Sequence, residues 1–265
     1  QSFTDSPYCL SYTESLGITG CKIMKILSHL LSPIFAIVFY FLLFFFHPLQ
    51  WIGLKLFGYK GHKFVVDYMN WFLSKSLLFV GISVTVENKH ELPKNTTLIF
   101  VSNHQSMFDI PPIIWAFRKY HPKFVSKVEL SKGIPSISFN LRHGGAALID
   151  RKDGKQAIVT LGKFAKTIDK NKWSAVIFPE GTRSRDGKPK PFAPNGLKIL
   201  AKYNPEAFIV PLTVNNSWKT FKYGKYPVGL FSPITVKTHQ PVKVNSLPFN
   251  ELLEQVETTI KKHIN

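Results

Sequence analysis

Acidic residues are scarce in this chain. Sixteen Asp and Glu stand against 34 Lys and Arg in 265 residues, a formal net charge of +18. That imbalance points to an acidic partner: nucleic acid, anionic lipid or an acidic carrier protein. Cysteine is nearly absent, with only Cys9 and Cys21. Two cysteines build no disulfide framework, and no Cys/His spacing suits zinc, so no metal site is expected. There is no Gly-rich nucleotide loop, and no Ser or Cys stands in a nucleophile-elbow context. Internal repeats and low-complexity segments are also lacking. The basic residues are dispersed and form no nucleic-acid module, so nucleic acid is not the expected partner.

Aromatic residues are plentiful, with 23 Phe, and many of them fall in the first eighty residues. Because the chain begins at Gln1 rather than Met, a missing or processed start is expected. Residues 1–20 are polar and small, and are expected to be poorly ordered. Residues 26–46 are almost wholly apolar, uncharged and preceded by Lys22 and Lys25. The run matches the ~20 residues that span a bilayer core. A cleaved signal peptide is the competing reading, but the run is long and no small-residue cleavage site follows it. Pro33 is better tolerated in a membrane helix than in a soluble one. His47-Pro48 marks a turn. Apolar stretches at 49–57 and 64–80 are broken by Lys55, Lys60, Lys63, Asp67 and Lys75, and read as interfacial helices with Trp and Tyr at head-group depth. Residues 1–80 are thus expected to form a hairpin-like membrane anchor, spanning or interfacial.

From 81 to 265 strands and helices alternate. Residues 82–87 alternate with period two and read as a half-buried strand. Strands follow at 97–102, 123–128, 146–149, 174–178 and 207–213, the last with an internal Pro, and an edge strand at 233–238. Helices are read at 111–119, 155–170, 195–203 and 251–263. In the second of these Ile158, Leu161, Phe164 (or Ala165) and Ile168 share a face. The pattern predicts an α/β fold, a mixed sheet flanked by helices, with the membrane-associated helical segment at its N-terminal side.

Four strand ends carry chemistry. Val101-Ser-Asn-His-Gln-Ser-Met-Phe-Asp-Ile-Pro-Pro112 leaves the strand at 97–102. Asp109, followed by an early Pro, reads as the N-cap of the next helix. His104 then sits on a strand-to-helix loop, where ligands bind in open α/β sheets. Asp109 turning back would hold one imidazole nitrogen and leave the other to take a proton from a hydroxyl. An isolated His-x4-Asp pair is weak. It gains force from Phe178-Pro-Glu-Gly-Thr-Arg-Ser184 at the end of another apolar strand. Gly181 permits a tight loop. Its amides, the Thr182 and Ser184 hydroxyls and the Arg183 guanidinium are donors suited to a phosphate. Glu180 is expected to orient Arg183 or to meet a glycerol hydroxyl. Gly144-Gly-Ala-Ala-Leu-Ile-Asp-Arg151 supplies Arg151 as a second cation, and Lys127 is a further one. Proton abstraction from a hydroxyl on a phosphate-bearing molecule fits this set.

These stretches resemble, in order and spacing, the motifs of the glycerolipid acyltransferase His-x4-Asp superfamily. Asn103 to Asp109 matches its first motif, and Phe178 to Ser184 its glycerol-phosphate motif. Gly145 to Arg151 matches the motif between them, with Leu148 where Phe is usual. Ile209-Val-Pro-Leu-Thr213 matches the fourth. The Phe-Pro-Glu-Gly-Thr-Arg-Ser form looks closest to the 1-acylglycerol-3-phosphate (lysophosphatidic acid) acyltransferases. The resemblance implies acyl transfer from an acyl-coenzyme A or acyl carrier protein thioester to the sn-2 hydroxyl of lysophosphatidic acid. The thioester is a co-substrate, and no cofactor is implied. It implies His104 as general base with Asp109 as its partner. Lys127, Arg151, Glu180, Gly181, Thr182, Arg183 and Ser184 would bind substrate. A lipid bilayer is the implied partner, with the catalytic part on the cytoplasmic face, at the inner membrane if the source is bacterial. The same chemistry on glycerol 3-phosphate or another lysophospholipid is the enzymatic alternative. A non-enzymatic basic membrane-surface protein is the other, and it would have no reason to pair His104 with Asp109.

Overall fold

The computed structural model describes residues 17–265, with side chains from residue 22 onward. The expectation of a poorly ordered start falls outside the described residues as far as residue 16, while residues 17–20 already open a helix. That helix, α1 (Gly17–Ser76), folds back on itself. Gly58 adopts φ 60° and ψ −148°, a conformation that glycine enters without steric cost. The two arms close over a pair of glycines. A Cβ on Gly61 would lie 2.5 Å from the Gly53 carbonyl oxygen, so a side chain there would push the arms apart. Farther from the turn, the Gln50 amide donates to the Met69 sulfur (3.2 Å), and Phe46 packs on Phe72.

The hairpin form matches expectation, but its turn lies at Gly58 and not at His47-Pro48. Pro48 and Pro33 both stay inside the helix. Pro33 offers no N–H to the His29 carbonyl, and the Tyr226 hydroxyl donates to that oxygen instead (3.1 Å). One turn of chain away, Ser32 Oγ accepts from the Val228 N–H (2.8 Å). The loop bearing Tyr226 and Val228 is thus stitched to the helix where the proline interrupts its ladder.

By length and composition, Lys22–Val80 is long and apolar enough to cross a membrane. Its outward face carries Ile26, Leu30, Ile37, Phe41, Phe44 and Leu56, all more than half exposed. Its inward face repeats at helical spacing, with Phe35, Phe39, Leu43 and Phe46 buried.

The sheet orders its strands β1-β7-β6-β2-β5-β3-β4, with β8 (Val242–Lys243) against β6. The others are β1 (Val84–Glu87), β2 (Leu98–Ser102), β3 (Pro122–Lys127), β4 (Ala147–Ile149), β5 (Ser174–Ile177), β6 (Phe208–Asn215) and β7 (Ile234–Thr238). Strands β6, β2, β5, β3 and β4 are parallel, and β7 runs antiparallel to β6. The expected mixed sheet is present. β7 is not an edge strand, because β1 pairs with its outer side through Val84 and Ile234. Between them, β2 and β5 bury every residue, as central parallel strands do.

Two apolar layers sandwich the sheet. On one side Phe100, Val176 and Val210 meet Phe35, Phe39, Leu43, Met69 and Leu73 of α1, together with Ile113 of α2 (Ile110–Ala116). On the other side Ile99, Val101 and Ala175 meet α4 (Gly154–Asn171), α5 (Pro194–Tyr203) and α6 (Phe249–Lys262). The α4 stripe is Leu161, Phe164, Ala165 and Ile168; Ile158, expected on it, is 59% exposed one turn before the core begins. The short helix α3 (Ile137–His143) has no counterpart in the sequence reading.

Candidate active site

The carboxyl ends of the parallel strands converge on one edge of the sheet, and β2 is central among them. Asn103, the first residue past β2, bridges to β6. Its side-chain amide donates to the Val214 carbonyl (2.8 Å), and its oxygen accepts from the Val214 N–H (2.7 Å). This clamp fixes where the chain leaves the strand, and therefore where His104 stands.

The loop then winds around one carboxylate. Asp109 is fully buried. Its Oδ2 accepts from His104 Nδ1 (2.8 Å), from the Gln105 N–H (2.7 Å) and from the Ser106 N–H (3.0 Å). Its Oδ1 accepts from the Ser217 hydroxyl. Four donors offset the desolvation of a buried charge. The expected turn-back of Asp109 is therefore present, and Asp109 holds the N-cap position of α2, but its side chain makes no cap bond there. Ser106 caps the 3-10 turn Met107–Asp109 that leads into α2: its Oγ accepts from the Phe108 N–H (3.0 Å), and Asp109 closes a capping box by taking the Ser106 N–H. With Nδ1–H donating to Asp109, His104 presents Nε2 as an acceptor. The imidazole lies against the Phe178 ring, centroids 4.0 Å apart and planes 14° from parallel. Its side chain is 17% exposed, enough for a substrate to reach the ring edge.

The second loop is bolted to the first. Ser184 N–H donates to the His104 carbonyl (2.7 Å), and the His104 N–H donates to Glu180 Oε1 (2.9 Å). Glu180 Oε2 accepts from the Lys190 N–H (3.0 Å). Both Glu180 oxygens therefore hold backbone, and Glu180 does not orient Arg183 by a side-chain bond. Burial raises its carboxyl above the usual range, and those two N–H bonds pull the other way. Arg183, next in sequence to a residue bonded to His104, is exposed and makes no side-chain hydrogen bond or ion pair among the described residues. Arg151 reaches from the β4 end to donate to the Gly181 carbonyl. Partial burial lowers its guanidinium below the ordinary range, against the Glu129 carboxylate, which raises it.

Thr182 Oγ1 accepts from Lys190 Nζ (2.7 Å), and Ser184 Oγ donates to Asp186 (3.1 Å). Of the two hydroxyls, Ser184's is thus committed within the loop. Lys127 is exposed at the end of β3, on the same edge of the sheet as these loops.

Three contributors escape the sequence reading. Lys190 adds a cation to the Arg183 loop, and the Lys-Pro-Lys run at 188–190 was the available signal. Ser217 supports Asp109 from 108 residues away, and no local pattern announces it. Gln105 is buried with its side-chain nitrogen unpartnered. Ser217→Ala would leave Asp109 Oδ1 without its donor. The expected result is a loss of about 1–3 kcal/mol in stability and a roughly tenfold lower kcat with an unchanged acceptor KM, read from thermal melts and steady-state kinetics.

The arrangement offers a base held by a buried acid beside a loop of cations, and comparison with known proteins agrees with it. A family model described as Acyltransferase matches residues 83–215, half of the chain. The 1-acyl-sn-glycerol-3-phosphate acyltransferase of Helicobacter pylori is 34% identical over 174 residues, covering 62% of this chain and 69% of that protein. The enzyme of that name from Saccharomyces cerevisiae is 27% identical over 253 residues, covering 94% and 74%. The chloroplastic BAT2 enzyme of Brassica napus is 29% identical over 195 residues, covering 69% and 54%. The chain spans about half the length of such plant relatives. The crystal structure of the 1-acyl-sn-glycerophosphate (LPA) acyltransferase PlsC from Thermotoga maritima superposes with a TM-score of 0.72 at 25% identity, covering 91% of this chain and 95% of that one. Sequence match, fold and the pairing of His104 with Asp109 coincide on residues 83–215, and this chain belongs to the Acyltransferase family.

Proposed function

We propose that this protein transfers a fatty acyl group from an acyl thioester to the sn-2 hydroxyl of lysophosphatidic acid, giving phosphatidic acid, at the surface of a membrane. The observation that carries the reading is the His104–Asp109 pair, whose free Nε2 stands beside the Arg183 loop. His104 Nε2 takes the proton as the acceptor oxygen attacks the thioester carbonyl. Asp109 supports the imidazolium that forms. Collapse of the tetrahedral intermediate expels the thiolate, which recovers the proton from His104. Ester and free thiol are the products, and no cofactor takes part.

Arg183 binds the acceptor phosphate, with Arg151, Lys127 and Lys190 adding positive charge, and this fixes the hydroxyl near the base. The exposed apolar face of α1 holds the site where both lipid substrate and lipid product reside. The cytoplasmic leaflet, rich in anionic lipid, suits a chain of net charge +18. The same charge suits coenzyme A phosphates or an acidic acyl carrier protein as donor.

Arg183→Ala tests the phosphate role. It is expected to raise the acceptor KM by about 10- to 100-fold with a smaller change in kcat, the effect of losing a charged hydrogen-bond donor. The reaction itself is tested on purified, detergent-solubilised protein. Lysophosphatidic acid and glycerol 3-phosphate are each offered with acyl-coenzyme A and with acyl carrier protein. Turnover of lysophosphatidic acid alone supports the proposal. Turnover only of glycerol 3-phosphate moves the acceptor, and no turnover in folded protein overturns the reading.

A further inference from the structure

At the end of β3 opposite Lys127 lies a second charged cluster, which the proposed reaction does not use. Lys123 is 8% exposed. Its ammonium sits 4.7 Å from the centroid of the Tyr59 ring and 4.8 Å from that of Trp173. Those rings stack on each other at 4.6 Å, and His121 stacks on Tyr59 at 5.8 Å. The aromatic faces attract the ammonium but do not neutralise it.

Among the described residues, Lys123 has no hydrogen-bond acceptor and no ion-pair partner. The carboxylate facing the cluster, Asp67, is paired with Lys63. His62 is bonded to Gln50 Oε1 (3.3 Å), and His121 Nδ1 to the Tyr59 hydroxyl (2.7 Å). Lys63 takes the Asp67 carboxylate, which still attracts Lys123 through space but makes no hydrogen bond or ion pair with it.

These groups surround a cavity of about 40 Å³ lined by His62, Lys63, Asp67, His121, Lys123 and Gly144. At ~10–15 Å³ for each water-sized group, it holds about three or four. That is the size of one oxyanion and too small for an acyl chain. Lys63 and His121 are half-buried and form its rim. Burial, then the Lys63 charge, pushes the Lys123 ammonium down to about 7. Burial, then Lys63 and Lys123, pushes His121 down to about 4. Each cation here discourages the next, and an anion in the cavity would reverse that. The two ammoniums equally disfavour a metal cation.

We infer that this cavity binds a phosphate-type oxyanion, free phosphate or a phospholipid head group, through Lys123 and Lys63 with His121 at the rim. The site is separate from the Arg183 loop, at the opposite edge of the sheet.

The test is a titration of the full-length, detergent-solubilised protein with inorganic phosphate at constant ionic strength. It is read from the Trp173 contribution to fluorescence, the difference between wild type and Trp173→Phe. Wild type and Arg183→Ala should give the same saturable response. Lys123→Met should bind about tenfold more weakly or worse, as for loss of one charge-assisted hydrogen bond. Because Lys123→Met keeps the apolar stem and removes a desolvated charge, its melting temperature should hold. Lys63→Gln, which keeps a donor for Asp67, is the second variant should the first not fold, and it too should weaken the response. Vesicles of phosphatidylcholine, with and without phosphatidic acid, then compete against phosphate on the Arg183→Ala protein. Competition by the anionic vesicles identifies a lipid head group, and no competition identifies free phosphate. A wild-type protein with no saturable response overturns the inference. So does a response kept in Lys123→Met and lost in Arg183→Ala.

Discussion

Replacing His104 with Ala is expected to lower kcat by about 10²- to 10⁴-fold, the range that a positioned general base contributes. The acceptor KM should change little, because the proposed phosphate ligands, Arg183 first among them, stand on other loops. The backbone bonds of His104 to Glu180 and Ser184 do not involve its ring, so the two loops stay joined in the variant. The loss in kcat is therefore chemical; the ring's bond to Asp109 also goes, so stability should fall by about 1 kcal/mol while the protein stays folded. Steady-state kinetics with lysophosphatidic acid are the check, and a kcat within a few-fold of wild type would refute His104 as the base.

Asp109→Asn should lower kcat by about 10²- to 10³-fold, and the loop explains why the loss falls short of removing the base. An amide is not symmetric as a carboxylate is. Gln105 and Ser106 both aim backbone N–H groups at Oδ2, so the Asn must place its oxygen there and its nitrogen toward Ser217. The oxygen then still meets His104 Nδ1, and the tautomer with Nε2 free is retained. What is lost is the negative charge that stabilises the imidazolium in a water-poor site, an electrostatic effect of about 3–4 kcal/mol. An amide turned the other way would oppose two N–H donors to its own and disrupt the loop. Kinetics beside thermal unfolding separate the two cases: a low kcat with a near-native melting temperature supports the retained tautomer, whereas a collapsed melting temperature refutes it.

Much of this was legible locally. The strands at β2, β5 and β6 declared themselves as short apolar runs, and the two loops that leave β2 and β5 carried their chemistry in consecutive residues. The chain order of His104, Asp109 and Arg183 needed no tertiary information. What stayed hidden depended on contacts made across the fold. Ser217 is an ordinary serine until β6 brings it to Asp109. Glu180 carries no local sign that its two oxygens also take backbone N–H groups and so join the two loops. Asp109 stands at the helix start as its sequence context says, but its side chain turns back to four donors in the loop instead of capping the helix. The reversal at Gly58 was missed for a related reason: His47-Pro48 is the stronger local turn signal, but Gly53 and Gly61 let the arms close only farther along.

One consequence concerns synthesis. The arms of α1 leave the ribosome before any strand of the sheet exists, and chains acquire structure from the N-terminus as they emerge. Phe35, Phe39 and Leu43 are one half of a core whose other half, Phe100, Val176 and Val210, is translated later. Until then the hairpin is apolar on both faces. Under the proposed membrane reading, lipid is the solvent in which it waits, holding the place the sheet will take. The sheet is thus completed against a layer that is made first, and α1 already stands on that side when β2 is translated.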